Sequence, residues 1–225
     1  MCGRYTLRTP AHVLARYFNF SAQEEWQLPL RYNIAPTQTV PVVRHSESGR
    51  ELAIMRWGLI PSWAKDTKIA SSLINARAET VVDKPAFRTA FKRRRCLVPA
   101  DGYYEWQKID AKTKQPCYIR RQDDQPFAFA GLWEHWDKGG EPVESYTIIT
   151  SDANESTRSI HDRSPVILDP VNFDMWLDPT FEGYDHLQGL LTPREATELV
   201  GVPVSTTVNS PKNNGPECIA PLVGE

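Results

Sequence analysis

Short apolar runs bounded by polar turn signals recur along most of this chain. The runs at 40–44, 51–57, 96–100, 103–108, 116–121, 126–133, 145–150 and 165–168 are rich in β-branched and aromatic residues and predict strands. Most are separated by turn signals rather than by helical stretches, which argues for antiparallel pairing. The segment 138–144 (KGGEPVE) reads as a hairpin loop. Helical periodicity appears in fewer places. Thr9-Pro10 sets a cap before a first-turn proline, with Val13, Leu14, Tyr17 and Phe18 following on one face. A second helix starts at Asp83. A third follows Asp169-Pro170 and carries Phe173, Trp176 and Leu177. A fourth opens with the capping box Thr192-Pro193-Arg194-Glu195. The expected fold is α+β: a single domain over 1–225, with a mostly antiparallel, barrel-like sheet and peripheral helices.

Composition narrows the class. A chain of 225 residues, 40% hydrophobic and 24% charged, suits a soluble globular protein with its own core. Seven Trp and 18 Pro suggest many turns and aromatic platforms on the surface. The net charge of -2 means that contact with a polyanion runs through a local patch rather than an overall field. No apolar run approaches the ~20 residues of a membrane span. The start, MCGRYTLRTP, has no signal-peptide core, so the cytoplasm is the expected compartment. Phosphate-loop, HExxH, GxSxG and dinucleotide motifs are absent. Cys2, Cys96, Cys117 and Cys218 lack metal-ligand spacing, so four free thiols are expected, with no metal and no cofactor. Cys96 and Cys117 lie in strand-like runs and read as small buried hydrophobes.

Cys2 is chemically special by position. If Met1 is removed, Cys2 carries an amine and a thiol on neighbouring carbons. Their reference pKa values, near ~8 and ~8.5, leave both usable as nucleophiles at neutral pH. An aldehyde meeting such a terminus gives a Schiff base, which the thiol can close into a thiazolidine. Elsewhere, Asn75 and Arg77 fall on one side of an extended segment, with Ile74 and Ala76 on the other. Glu105 shares a strand face with Tyr103, between aromatic neighbours that would raise its pKa toward a working range. His161 lies in a polar loop and titrates near neutrality, while the adjoining Asp162 and Arg163 are candidates for a local salt bridge. The run 83–95 holds six basic residues against one acid, with Lys84, Arg88 and Lys92 spaced as one helical stripe. In a chain of net negative charge that stripe suggests phosphate contact, and Trp57, Trp63 and Trp106 are candidates for stacking on unpaired bases.

The ordered motifs CGRYTL, RYNIAPTQ, WGLIPSWAK, INARAET, CLVPADGYYEW, YTIITSDAN, IHDRSP and NSPKNNGPECI, spanning Cys2 to about Ile219, closely resemble the SRAP family. Its members are called SOS response-associated peptidases and abasic-site processing proteins. The resemblance implies a DNA-damage function: a covalent thiazolidine link to abasic sites in single-stranded DNA, formed by Cys2 through lyase-like Schiff base chemistry. Met1 is then removed either autocatalytically, by a peptidase activity of the chain itself, or by an aminopeptidase, and the further expectations are a monomer, location on the nucleoid when bound, and contact with replication-fork components. Carried over by position, Asn75 holds the terminal amine or the sugar, Glu105 moves protons and His161 protonates the ring oxygen. Arg4, Asn33, Pro36, Trp63, Arg77 and Thr150 correspond to strand-binding positions. Some relatives carry Arg where Pro85 stands, so Lys84 or Arg88 is the local substitute. Ser164 stands where the family pattern has Met. Two other readings fit the residues. One is a cysteine peptidase or amidohydrolase using Cys, His and Asn. The other is a non-catalytic single-strand binder.

Overall fold

The structure is a computed structural model that describes residues 2–21, 27–193 and 199–222. Its strands are β1 Tyr5–Leu7, β2 Arg31–Ile34, β3 Thr39–Ser46, β4 Gly49–Trp57, β5 Asn75–Arg77, β6 Arg95–Ala100, β7 Gly102–Lys108, β8 Lys114–Arg121, β9 Phe127–Trp136, β10 Val143–Asp152, β11 Arg163–Pro165, β12 Ile167–Leu168 and β13 Leu199–Pro203. The helices are short: α1 Ala11–Phe18, α2 Arg88–Arg93, α3 Glu155–Arg158, α4 Phe173–Leu177 and α5 Tyr184–Gly189. The class is α+β, as the short strand-like runs predict.

Five strands close on one another. β3 pairs with β4 and β6, β6 with β9, β9 with β10, and β10 with β4, which makes a barrel without free edges along that path. A second sheet, in the order β13-β8-β7-β1-β2, is antiparallel throughout. The large core joins the barrel interior to this sheet. Tyr5 meets Trp57 edge-on at 5.2 Å, Trp57 stacks on Tyr146 at 6.3 Å, and the Tyr5 and Tyr146 hydroxyls hydrogen-bond at 2.7 Å. Fully buried phenols thus satisfy each other instead of carrying a desolvation penalty. A smaller cluster of Tyr104, Tyr118, Val204, Val208 and Cys218 covers the other face of the second sheet.

One departure from antiparallel pairing positions the site. β10 runs parallel first to β4 (Tyr146 opposite Trp57) and then to β5 (Ile148 opposite Asn75), so β4 and β5 lie end to end beside it. The chain leaves β10 at Gly58, whose φ is +114 and where a Cβ would stand 2.7 Å from the Ala70 carbonyl oxygen. It returns because the buried Trp57 indole donates to the Ile74 carbonyl at 2.9 Å. Asn75 follows directly.

Several expectations are corrected here. The helix expected from Asp83 begins at Arg88, after a series of turns, because Pro85 disfavours helical backbone at Lys84. Thr9 is not a helix cap. Its hydroxyl and backbone N–H both bond the Asp101 carboxylate, and Pro10 occupies the cap position of α1. The run 165–168 splits into β11 and β12 at Val166, whose N–H bonds Ile149 on β10 while its carbonyl accepts from Ala130 on β9. The capping box of the fourth helix runs into residues outside the described ones. All four cysteines are free and buried. Among the described residues no helix is long and apolar enough to cross a membrane.

Candidate functional site

Cys2 lies just ahead of β1 and is fully buried. Its carbonyl accepts from the Asn75 side-chain amide at 2.8 Å, and its thiol lies 3.9 Å from the Arg4 carbonyl. β1 pairs with β7 (Tyr5 opposite Tyr103), and Tyr104 donates its N–H to the Arg4 carbonyl at 3.0 Å. Side chains alternate along β7, so Tyr104 enters the small cluster while Tyr103 and Glu105 turn to the Cys2 side. Burial pushes the Cys2 thiol up, and the nearby Glu105 charge adds to that rise. Glu105 is itself 3% exposed, and burial raises its carboxyl to about 7.

His161 follows α3, in a turn capped by Asn154 and closed by its own N–H on the Thr157 carbonyl at 3.1 Å. Its Nε2 lies 3.9 Å from a Glu105 carboxylate oxygen. Burial lowers the imidazole's pKa, and the Asp162 charge partly restores it. Cys2, Asn75, Glu105 and His161 come from four separate parts of the chain and form one connected group. The Asn75 side-chain oxygen Oδ1 is buried with no partner among the described residues, so it is available to a terminal amine or a ligand. Among the described residues no cluster of His, Cys, Asp and Glu has the makings of a metal site.

The other candidates divide by exposure. Trp63 is 53% exposed and its indole donates to the Pro85 carbonyl at 3.4 Å, which sets it beside the Lys84–Arg88 turn. Arg77, Lys84 and Arg88 are exposed, and Pro36 is half-buried. Asn33 and Thr150 are buried, and Arg4 is half-buried. The Arg4 guanidinium donates to Asn33 and to the carbonyls of Val208 and Asn209. Asn33 donates to the carbonyls of Val208, Ser210 and Asn213. Thr150 is fully buried, and its carbonyl accepts from Arg163 at 2.6 Å. Asn33 and Thr150, being buried, could act on a strand only through the segments they hold. Trp57 is core, so it offers no stacking surface, and Trp106 donates to the Asn209 side chain at 2.8 Å. The basic run is thinner than its sequence suggests. Arg94 pairs with Glu134 at 2.7 Å, and Arg95 is 2% exposed, with its guanidinium on main-chain carbonyls that include Phe91 and Lys92.

Sequence reasoning left the roles of Asp162 and Arg163 open, and they do not pair with each other. Arg163 binds Glu79 at 2.6 Å and Asp152 at 2.9 Å, whereas Asp162 reaches His161 at 2.9 Å. Only the β10–β11 pairing, which sets Asp152 opposite Arg163, makes this visible.

A family model described as SOS response associated peptidase (SRAP) matches residues 1–211. The chain belongs to the SRAP family. Among SRAP relatives, the abasic site processing protein YoqW of Bacillus subtilis (strain 168) is 45% identical over 221 residues, covering 97% of this chain and 99% of that one. The abasic site processing protein HMCES of Gallus gallus is 34% identical over 264 residues, covering 99% of this chain and 78% of that one. The crystal structure of a protein from Bacteroides thetaiotaomicron superimposes with a TM-score of 0.86 at 27% identity, covering 99% of this chain and 100% of that one.

Proposed function

We propose that this chain, once Met1 is removed, captures abasic sites in single-stranded DNA through Cys2. The observation that carries the reading is the grip of Asn75 on the Cys2 carbonyl beside a carboxyl that titrates near neutrality. Relatives named as abasic site processing proteins over nearly the whole chain support it.

The chemistry follows from the residues. An abasic sugar is mostly a cyclic hemiacetal. Opening it needs a proton on the ring oxygen as the C1′–O4′ bond breaks and removal of the proton from the C1′ hydroxyl, leaving the aldehyde. His161 supplies the first and Glu105 the second. The Cys2 amine adds to C1′ as one of its protons passes to the aldehyde oxygen, and protonated Glu105 gives its proton to the departing hydroxyl and takes up the remaining N–H proton. One water leaves and an imine remains. The thiol then adds to the imine carbon, and its proton passes to nitrogen. A thiol whose pKa burial has raised suits this order, with the amine attacking first. A cysteine peptidase needs the reverse, a thiol acidified by a neighbouring imidazolium. Trp63, Arg77, Lys84 and Arg88 offer an exposed stacking ring and cations to the strand.

Mature protein mixed with a single-stranded oligonucleotide bearing one abasic site should give a shifted band on a denaturing gel, and Cys2→Ala should abolish it. No band, or an equal band with the variant, sinks the reading. An intact oligonucleotide bound equally well, with no adduct, would favour a simple strand binder.

A further inference from the structure

His161 has two neighbours at one nitrogen that ask for opposite things. Nδ1 lies 3.0 Å from the backbone N–H of Arg163, which only donates. It also lies 2.9 Å from a carboxylate oxygen of Asp162, which only accepts. A neutral ring protonated at Nε2 satisfies Arg163. A ring protonated at Nδ1 satisfies Asp162. One protonation state cannot satisfy both. Nε2 meanwhile faces Glu105 at 3.9 Å.

The surroundings leave Asp162 to this task. The neighbouring cation, Arg163, is held by Glu79, Asp152 and the Thr150 carbonyl. The Asp162 carbonyl accepts from Ala153 at 2.9 Å, which fixes the backbone of the turn.

We propose that Asp162 is a positioning residue for the capture reaction, holding Nδ1–H of His161 while the proton at Nε2 moves to the sugar ring oxygen. In that step the Nε2–H bond breaks, the O4′–H bond forms, and the electron pair of the C1′–O4′ bond goes to O4′. The ring is left neutral, its remaining proton on Nδ1 against Asp162, and Nε2 can take a proton back. The Arg163 N–H holds the competing resting form, in which Nδ1 accepts. The proposal rests on the capture reading above.

Other charges face this ring. Burial is the largest influence lowering its pKa. Lys114 on β8 also opposes protonation, and Asp162 favours it. Glu105 approaches from β7. The Asp162 side chain is 86% exposed, so its hold is moderate.

The test is an NMR titration of the His161 ring in the whole mature protein as wild type, Asp162→Asn and Asp162→Glu, alongside the single-turnover adduct rate at saturating abasic single strand. Asp162→Asn should lower the ring's midpoint by about half a pH unit, and so lower the rate at neutral pH by about threefold. Asp162→Glu should restore most of both. A role through bulk charge predicts something else: removing an acid beside an anionic strand tightens DNA binding and leaves the saturated rate unchanged or higher. An unchanged midpoint in Asp162→Asn overturns the proposal, and so does a saturated rate that does not fall. A wild-type protein that forms no adduct fails the capture reading itself and takes this proposal with it, whatever the titration gives.

Discussion

At the scale of single residues, Glu105 carries the clearest trade between function and stability. Burial raises its carboxyl to about 7 from an ordinary 4.5, with Asp162 adding to the rise. A group titrating there can both give and take a proton near neutrality, as ring opening and imine formation require. Between those two values the folded chain keeps a proton that the unfolded chain has released. The stability it contributes is therefore complete below the lower value and is lost as pH rises through the upper one. Glu105→Gln removes the charge and keeps the shape. Thermal unfolding at about pH 8 should find the variant more stable than the parent by on the order of 2 kcal/mol, with little difference at about pH 5. The same variant should form adduct at least about a hundredfold more slowly. A variant no more stable at the higher pH contradicts the burial account.

At the scale of elements, the late segment 206–214 is held by the side chains of Arg4, just ahead of β1, and Asn33 in β2. Asn33 donates to three of its carbonyls and accepts from Arg4. Asn33→Ala strands those groups, so a loss of about 2–3 kcal/mol is expected, read by thermal unfolding. Hydrogen exchange should quicken at Asn213, whose N–H bonds the Ser210 carbonyl at 3.1 Å in this segment. Unchanged exchange there would show that Asn33 does not hold the loop. Such roles explain what the sequence could and could not tell. Strands such as β3, β7 and β9 were legible because, at eight, seven and ten residues, they hold enough apolar, β-branched and aromatic side chains to stand out. Once a segment is a strand, period two fixes its faces, so Glu105 beside Tyr103 and Asn75 beside Arg77 were readable. β1 and β2, three and four residues long, offered too little pattern. The inward turn of Asn33 was hidden because its partner Val208 is 175 positions away. Counting cations could not show that Arg95 points inward to main-chain carbonyls.

For the whole molecule, a net charge of -2 makes local cations matter, and the proposed strand contacts Trp63, Arg77, Lys84 and Arg88 are all exposed. Affinity for an undamaged single strand should fall with salt, and Arg77→Ala should make the log–log slope shallower by about 0.7. A slope unchanged by Arg77→Ala, measured by fluorescence anisotropy, would place the strand elsewhere. The claim on which the account stands concerns one terminus, and the direct measurement is mass spectrometry of the adduct after nuclease and tryptic digestion. The account predicts the sugar remnant on the peptide Cys2-Gly3-Arg4, with one water lost and no Met1 attached. A remnant on a lysine, on another cysteine, or on a peptide that still begins with Met1 would contradict it.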